Sequence, residues 1–487
     1  MDLSKHAVTP IYTGLKNYTQ AKIVHFDVPG HKKNPDSPLA EAFSEQIVLY
    51  DANSTKDLDV LSNPTGIIKE AEALMADAYG ADQAFLLVNG STFGVITMIM
   101  SACGPKDKII MPRNVHKSAI NGVILSGALP VFIDPEIDPE YGITNGVTYT
   151  AVKEAIKANP GVKGIFLNNP TYFGTVSDLK AIVRLAHRHG IPVLVDEAHG
   201  SHFPFHPDLP DAAMQVGADM STVSLHKTGG SLTQTSAILL NEGLISKEKV
   251  RTIINLMQTT SASYLLLASL DLARKHLVFN GREIWSNLLA LSAMAKAEIN
   301  KIPGLRVITR DDYVNGKEIY DYDETKLVVK VNELGLTGFE VYDLFKEKYN
   351  IQLELAETYV VLAVTGPGDT AENLTQLVNA FRKLSQEYYG QKPPFHLPPM
   401  SGFFTRPQTV VAPRDAFYSV KKQVPVAEAC GEISGESIMI YPPGIPLVIP
   451  GERITAEIID HYNFYRKQNC IIMNDHGNTD FIKVLGE

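Results

Sequence analysis

From Thr65 onward the apolar positions follow two alternating rhythms. Ile67 to Tyr79 repeats at helical spacing, and Gly80 can close that helix in a left-handed conformation. Ala84 to Val88 is a short apolar run with the length of a buried strand. Asn89-Gly90-Ser91-Thr92 and a second helical stretch through Met100 follow it. Lys108 to Met111, Leu129 to Ile133, Val162 to Leu167 and Ile191 to Val195 are further short apolar runs. Helical segments around Lys117 to Ser126 and Thr150 to Ala158 separate them. A third, Ser177 to His189, lines up Leu179, Ile182, Val183 and Ala186 on one face. Strands alternating with helices predict an α/β domain whose parallel sheet is covered on both faces. In such sheets ligands gather at the carboxyl ends of the strands.

After Leu272 a long helical region containing Trp285 leads away from this pattern. A second rhythm then predicts a compact α+β domain. Its strands are Lys326 to Val331, Ile351 to Leu355 and Tyr359 to Val364, with a helix from Ala371 to Tyr388. Thr337-Gly338-Phe339-Glu340 reads as a capping-box start to another helix. Lys392 to Pro399 reads as a linker. The first forty residues show no sustained period. The pattern therefore divides the chain into an N-terminal arm (1–40), a large domain (41–272), a small α+β domain (273–391) and a C-terminal domain (392–487). A chain of 487 residues is long enough for such a division.

Composition narrows the function classes. A formal net charge of −10 argues against a nucleic-acid partner, which calls for a basic face, and suits a cationic small molecule. Cys103, Cys430 and Cys470 are scattered, matching neither a disulfide framework nor a metal site. Met1 to Tyr18 lacks the apolar core of a signal peptide, and no apolar run approaches the ~20 residues of a membrane span. The expected location is the cytoplasm.

The chemistry concentrates at two places. Ser221 to Gly230 holds one lysine, Lys227, after an apolar run, flanked by Ser224, His226 and glycines. The run Ile191 to Val195 ends in Asp196-Glu197-Ala198-His199-Gly200. A lysine able to form a Schiff base, with an acid to keep a pyridine nitrogen protonated, meets the requirement of pyridoxal phosphate (PLP) chemistry. Alone, Lys227 reads as a surface lysine and Asp196 as a helix cap or turn acid. Gly90, Ser91 and Thr92, between strand and helix, offer amides and hydroxyls to a phosphate, or simply cap the helix. His116 follows a strand end, where an imidazole can stack on a ring or move a proton. His199 has the same ambiguity, and His116 is the one expected to make direct contact. Thr259 to Tyr264 is a hydroxyl cluster that reads as a polar loop, or as a phosphate contact across a subunit interface.

Taken together these motifs resemble the Orn/Lys/Arg decarboxylases, most closely the short bacterial biosynthetic arginine decarboxylases. The likeness spans Pro29-Gly30-His31-Lys32-Lys33, Pro64 to Lys69, Asn89 to Thr92, Arg113-Asn114-Val115-His116-Lys117-Ser118 and Asn169 to Gly174. It continues through Asp196 to Gly200, Ser224 to Lys227, and Tyr441 to Pro446 with Pro450-Gly451-Glu452. The resemblance implies the aspartate-aminotransferase-like fold type I, an α/β architecture. In it, a large mostly parallel-sheet domain is joined by a smaller α+β domain and a C-terminal α+β domain. It implies PLP linked to Lys227, Asp196 on the ring nitrogen, His116 stacked on one ring face and Ala198 packed on the other. His199 joins the cofactor contacts, with Ser91, Thr92, Ser224 and His226 toward the phosphate and no metal. Ser261 or Ser263 would arrive from a second protomer, so the implied unit is at least a homodimer with shared active sites. The implied reaction is decarboxylation of a basic amino acid, arginine to agmatine, with lysine to cadaverine as the alternative. Transamination, aldol cleavage and a non-catalytic binding role are the other readings. A guanidinium prefers a bidentate carboxylate, and Glu432, Glu436 and Glu452 are the candidate acids.

Overall fold

The computed structural model describes residues 2–486 except 22, 397–406, 442–443 and 469. The expected linker Lys392 to Pro399 and the Tyr441 to Pro446 segment therefore lie partly outside the described residues. The chain forms two compact units, one of Met1–Ser101 with Pro192–Ser286 and the other of Ala102–Ile191 with Asn287–Glu487.

In the first unit four strands are hydrogen-bonded in the order Gln83–Leu87, Ser236–Leu240, Met220–Val223, Val193–Asp196. The last two run parallel, with Asp196 opposite Thr222. Ser236–Leu240 is antiparallel to both of its neighbours, so alternation alone overstated how parallel the sheet is. Helix Ile67–Tyr79 buries Ile68, Ala71, Met75 and Tyr79, one face at helical spacing. Gly80 ends it at φ 69°, as its position predicts. Its first turn has no cap of its own. The Asp59 carboxylate instead accepts the amides of Thr65, Gly66 and Ile68.

The N-terminal arm holds a helix, Pro10–Gln20, that the pattern did not predict. Distant groups fasten it. Asp271 accepts the Ile11 amide at 2.9 Å, and Arg274 donates to the carbonyls of His6 and Val8. Beyond it the arm leaves Val24, Phe26 and Val28 at 79%, 92% and 60% exposure, an apolar stretch that the described residues leave uncovered.

In the second unit, Leu129–Ile133, Lys108–Pro112 and Gly164–Asn168 form a parallel set. Helix Leu179–Arg188 buries Leu179, Ile182, Val183, Leu185 and Ala186, and the Asp178 carboxylate caps it. An antiparallel sheet in the same unit has the order Arg306–Val307, Lys326–Lys330, Val360–Val364, Leu355–Ala356. The capping box at Thr337 and Glu340 is present in both directions. The strand expected over Ile351 to Leu355 shrinks to two residues at its far end. The C-terminal segment packs helix Ala456–Lys467 and strand Ile438–Tyr441 around Ile438, Val448, Ile458 and Tyr462.

Candidate active site

Asp196 is the last residue of its strand, and the chain turns there through Glu197 to Gly200. The turn is tightly held. Ala198 donates its amide to Asp196 Oδ1 at 3.2 Å, Glu197 donates its own to Thr222 O at 3.0 Å, and Gly200 donates to Glu197 O at 2.9 Å. A Cβ at Gly200 would lie 2.9 Å from Glu197 Cγ and 3.0 Å from the Phe203 ring, so a side chain there would force one of these neighbours to shift. The neighbouring strand ends at Val223. After Ser224 it enters the single helical turn Leu225–Thr228, which carries His226 and Lys227.

These two strand ends bring Lys227 and the Asp196 turn together. Lys227 Nζ lies 2.8 Å from His199 Nε2. Burial raises the Asp196 pKa, and the Lys227 ammonium is the main influence pulling it back down, so the two charges are within electrostatic reach. Glu197 faces the other way. Its carboxyl accepts the Ala213 amide at 2.8 Å, and burial pushes its pKa up to about 8.

The second half of the site starts at Gly90, whose φ of 71° suits a residue without Cβ and whose amide donates to Gln234 O. Helix Gly90–Ala102 begins there, presenting its first amides and the hydroxyls of Ser91 and Thr92. Ser224 Oγ donates to Ser91 Oγ at 2.8 Å, which ties the helix start to the lysine turn. Gly94 makes the approach possible, because a Cβ there would sit 2.2 Å from Thr222 Oγ1. His226 donates from Nδ1 to Thr235 O at 2.8 Å.

Residues that the sequence reading passed over brace this arrangement. Thr228 Oγ1, next to Lys227, is 2.7 Å from Ser201 Oγ and 3.2 Å from His202 Nδ1. The His202 ring packs on Trp285 with centroids 4.4 Å apart. The signal was present in Gly200-Ser201-His202, directly after the motif that was read. Ser261 and Ser263 stand apart. Ser261 is exposed on the loop before the long helix Tyr264–Ile299, and Ser263 caps that helix through its carbonyl.

The remaining candidates belong to the second unit. His116 caps helix Lys117–Ser126, with Nδ1 accepting the Ser118 amide at 3.2 Å. Three residues before it, Arg113 is buried and donates to Glu452 Oε2 at 2.8 Å and to Pro446 O at 2.9 Å. Glu452 is wholly buried and also takes the Ile449 amide on the same oxygen. Glu436 is buried and accepts the amides of Asp475 and Lys483. Glu432 pairs with Lys422 at 3.1 Å and is the one acid of the three in contact with solvent. The two buried acids thus hold their own fold together.

Comparison with known proteins covers nearly the whole chain. The Orn/Lys/Arg decarboxylase major domain matches residues 9–373, and the Orn/Lys/Arg decarboxylase C-terminal domain matches residues 400–470. An arginine decarboxylase from Bacillus subtilis is 44% identical over 466 residues, 94% of each chain. One from Halalkalibacterium halodurans is 45% identical over 462 residues, 93% of this chain and 92% of its relative. The solved lysine decarboxylase LdcF of Francisella novicida superposes with a TM-score of 0.84 at 21% identity, covering 98% of this chain and 81% of that one. That likeness shows the architecture, the α/β fold type I of PLP-dependent enzymes.

Proposed function

We propose that this chain, which belongs to the Orn/Lys/Arg decarboxylase family, converts arginine and a proton into agmatine and carbon dioxide. It is a decarboxylase, a carbon–carbon lyase, and its relatives point to a basic amino acid as substrate. The choice of arginine is supported by relatives that carry that name at 42–45% identity over nearly their full length. The observation that carries the chemistry is the convergence of Lys227, His199 and Asp196 at two adjacent parallel strand ends.

The donor set fits pyridoxal phosphate. Lys227 would carry it, Asp196 would hold a proton on the ring nitrogen, and Ala198 and His116 would flank the ring. The start of helix Gly90–Ala102, with Ser91, Thr92, Ser224 and His226, would take the phosphate. When bound, the cofactor supplies an acceptor for the electron pair left as the bond from Cα to the carboxylate breaks. The chain's own share is to orient that bond, exclude water, and return a proton to Cα from Lys227 or His116.

A homodimer belongs to the proposal. The uncovered stretch of Val24, Phe26 and Val28 and the exposure of Ser261 support a second copy of the chain completing the site. The proposed C-terminal domain, from 392, is supported by the gap between the two family matches at residues 373 and 400. The test is a parallel product assay of the purified protein with PLP on arginine, lysine and ornithine. Agmatine formation on arginine at a kcat/KM at least about tenfold above lysine is the expected result. Cadaverine as the main product would replace arginine with lysine, and a requirement for a keto acid would replace decarboxylation with transamination.

A further inference from the structure

We propose that Arg113 is a positioning residue for His116, acting through the backbone of the segment from Gly444 to Glu452. The assignment rests on the reading that His116 flanks the cofactor ring. It gives the C-terminal part of the chain a share in the reaction without asking any of its side chains to touch the substrate.

The two residues share one connection. Strand Lys108–Pro112 ends one residue before Arg113, whose amide donates to Ile133 O at 2.9 Å. His116 follows three positions later as the cap of helix Lys117–Ser126. Its ring is tied to the start of that helix, because Nδ1 accepts the Ser118 amide at 3.2 Å and lies 2.8 Å from Ser118 Oγ. Wherever the helix starts, the imidazole goes with it. The C-terminal segment holds that start. Lys117 donates its amide, an orphan of the first turn, to Gly444 O at 3.2 Å.

Arg113 locates the Gly444 carbonyl. Its buried side chain donates to Pro446 O at 2.9 Å, Leu447 O at 3.3 Å and Glu452 Oε2 at 2.8 Å. The two carbonyls lie just after Gly444, in strand Ile445–Val448. The contacts close a circuit. It runs along the main chain from Arg113 through His116 to Lys117, crosses to Gly444, follows the strand, and returns through the guanidinium. A guanidinium presents several N–H donors in a planar fork and so serves two carbonyls and a carboxylate at once; the point charge of a lysine lacks that fork. At the far end of the helix Arg414 donates to Leu125 O at 2.9 Å, so the C-terminal part of the chain holds both helix ends. The consequence is catalytic, since a group misplaced by about 1 Å can cost a reaction about a hundredfold.

Two variants of the whole chain separate positioning from folding. Arg113→Met with Glu452→Gln removes the fork and leaves no buried charge unpaired, and the new amide can still accept the Ile449 N–H. Glu452→Gln alone strips the guanidinium of its counter-charge but keeps its bonds to Pro446 O and Leu447 O. By urea denaturation the single variant should be the less stable of the two. The His116 readouts should run the other way. In apoprotein, acylation of His116 by diethyl pyrocarbonate, followed by mass spectrometry, should be at least about threefold faster in the double variant alone, with exposed His187 as internal standard. In holoenzyme the visible circular dichroism of bound pyridoxal phosphate should weaken, and kcat on arginine should fall at least about tenfold with little change in KM, again in the double variant alone. His116→Ala completes the series. If it leaves both the dichroism and kcat unchanged, the reading of His116 beside the ring falls. If it changes them while the double variant keeps wild-type values, or if every readout follows the urea midpoint, Arg113 does not position His116.

Discussion

The strand end at Asp196 crowds two carboxyls, Asp196 and Glu197, with one ammonium and an imidazole at hydrogen-bonding distance from it. In the other unit Arg113 and Glu452 meet one to one, 2.8 Å apart, with backbone carbonyls and an amide completing the set. Burial raises the pKa of both Asp196 and Glu452, although Glu452 is wholly buried and Asp196 only partly. They differ in balance. A matched buried pair, once broken, exposes the fold to the full cost of a stranded charge, which makes it a lock. A mismatched set holds protons that neighbouring groups can exchange, which is the condition for acid–base work. The same kind of residue therefore does different work according to what neutralises it.

Substitutions separate the two most sharply at their centres. Lys227→Ala should lower decarboxylation by more than about a thousandfold, because no other group can form the covalent link. Unfolding stability should change by no more than about 1 kcal/mol. Product formation and urea denaturation of the same preparations measure both halves; retained turnover would remove Lys227 from the reaction. Glu452→Ala should invert that pattern in the urea experiment, costing about 3–5 kcal/mol by leaving the Arg113 guanidinium buried without its counter-charge. The double variant Arg113→Ala with Glu452→Ala should cost less than the sum of the single changes. Additive costs would mean that the two side chains do not hold each other, and the contrast between the regions would fail.

What was legible in advance follows distance along the chain. Gly80 and the Thr337–Glu340 box mark helix ends through contacts within four residues, so their meaning is local, and the helices end where they say. Helix Pro10–Gln20 was missed because Asp271 and Arg274, about 260 residues away, fix it, and its own face buries little beyond Ile11 and Leu15. The long helix begins at Tyr264, earlier than expected, because Thr259 to Tyr264 reads as a loop by composition. Asp196 and Lys227 could be paired from sequence since each ends an apolar run and the two runs are neighbouring parallel strands. The pairing of His199 with Lys227 could not, because it depends on how two loops fold back over those strand ends. Glu452 stood as one of three candidate acids because a carboxylate carries no mark in sequence of the arginine 339 positions away with which it pairs.

The smallest expected effect refines the comparison at Glu197, the excess acid of the strand end. Burial, helped by repulsion from Asp196, lifts its pKa to about 8 against the pull of the Ala213 amide and the Ser221 hydroxyl. In the unfolded chain a glutamate titrates near about 4.3. The folded state therefore holds the proton more tightly. The stability this confers is complete below about pH 4.3 and is lost as pH rises through about 8, at a scale of a few kcal/mol. Glu197→Gln is neutral throughout and can keep the hydrogen bond from the Ala213 amide, so this contribution should vanish. Urea unfolding of apoprotein at pH 5, 7 and 9 should show the variant overtaking wild type as pH rises. Glu72, lifted to about 7 beside Arg251, adds a slope of its own, but the same one to both proteins. Parallel curves would mean that Glu197 is already ionised in the folded protein. The strand end would then carry two buried negative charges against Lys227, and the argument that its imbalance is relieved by a held proton would be lost.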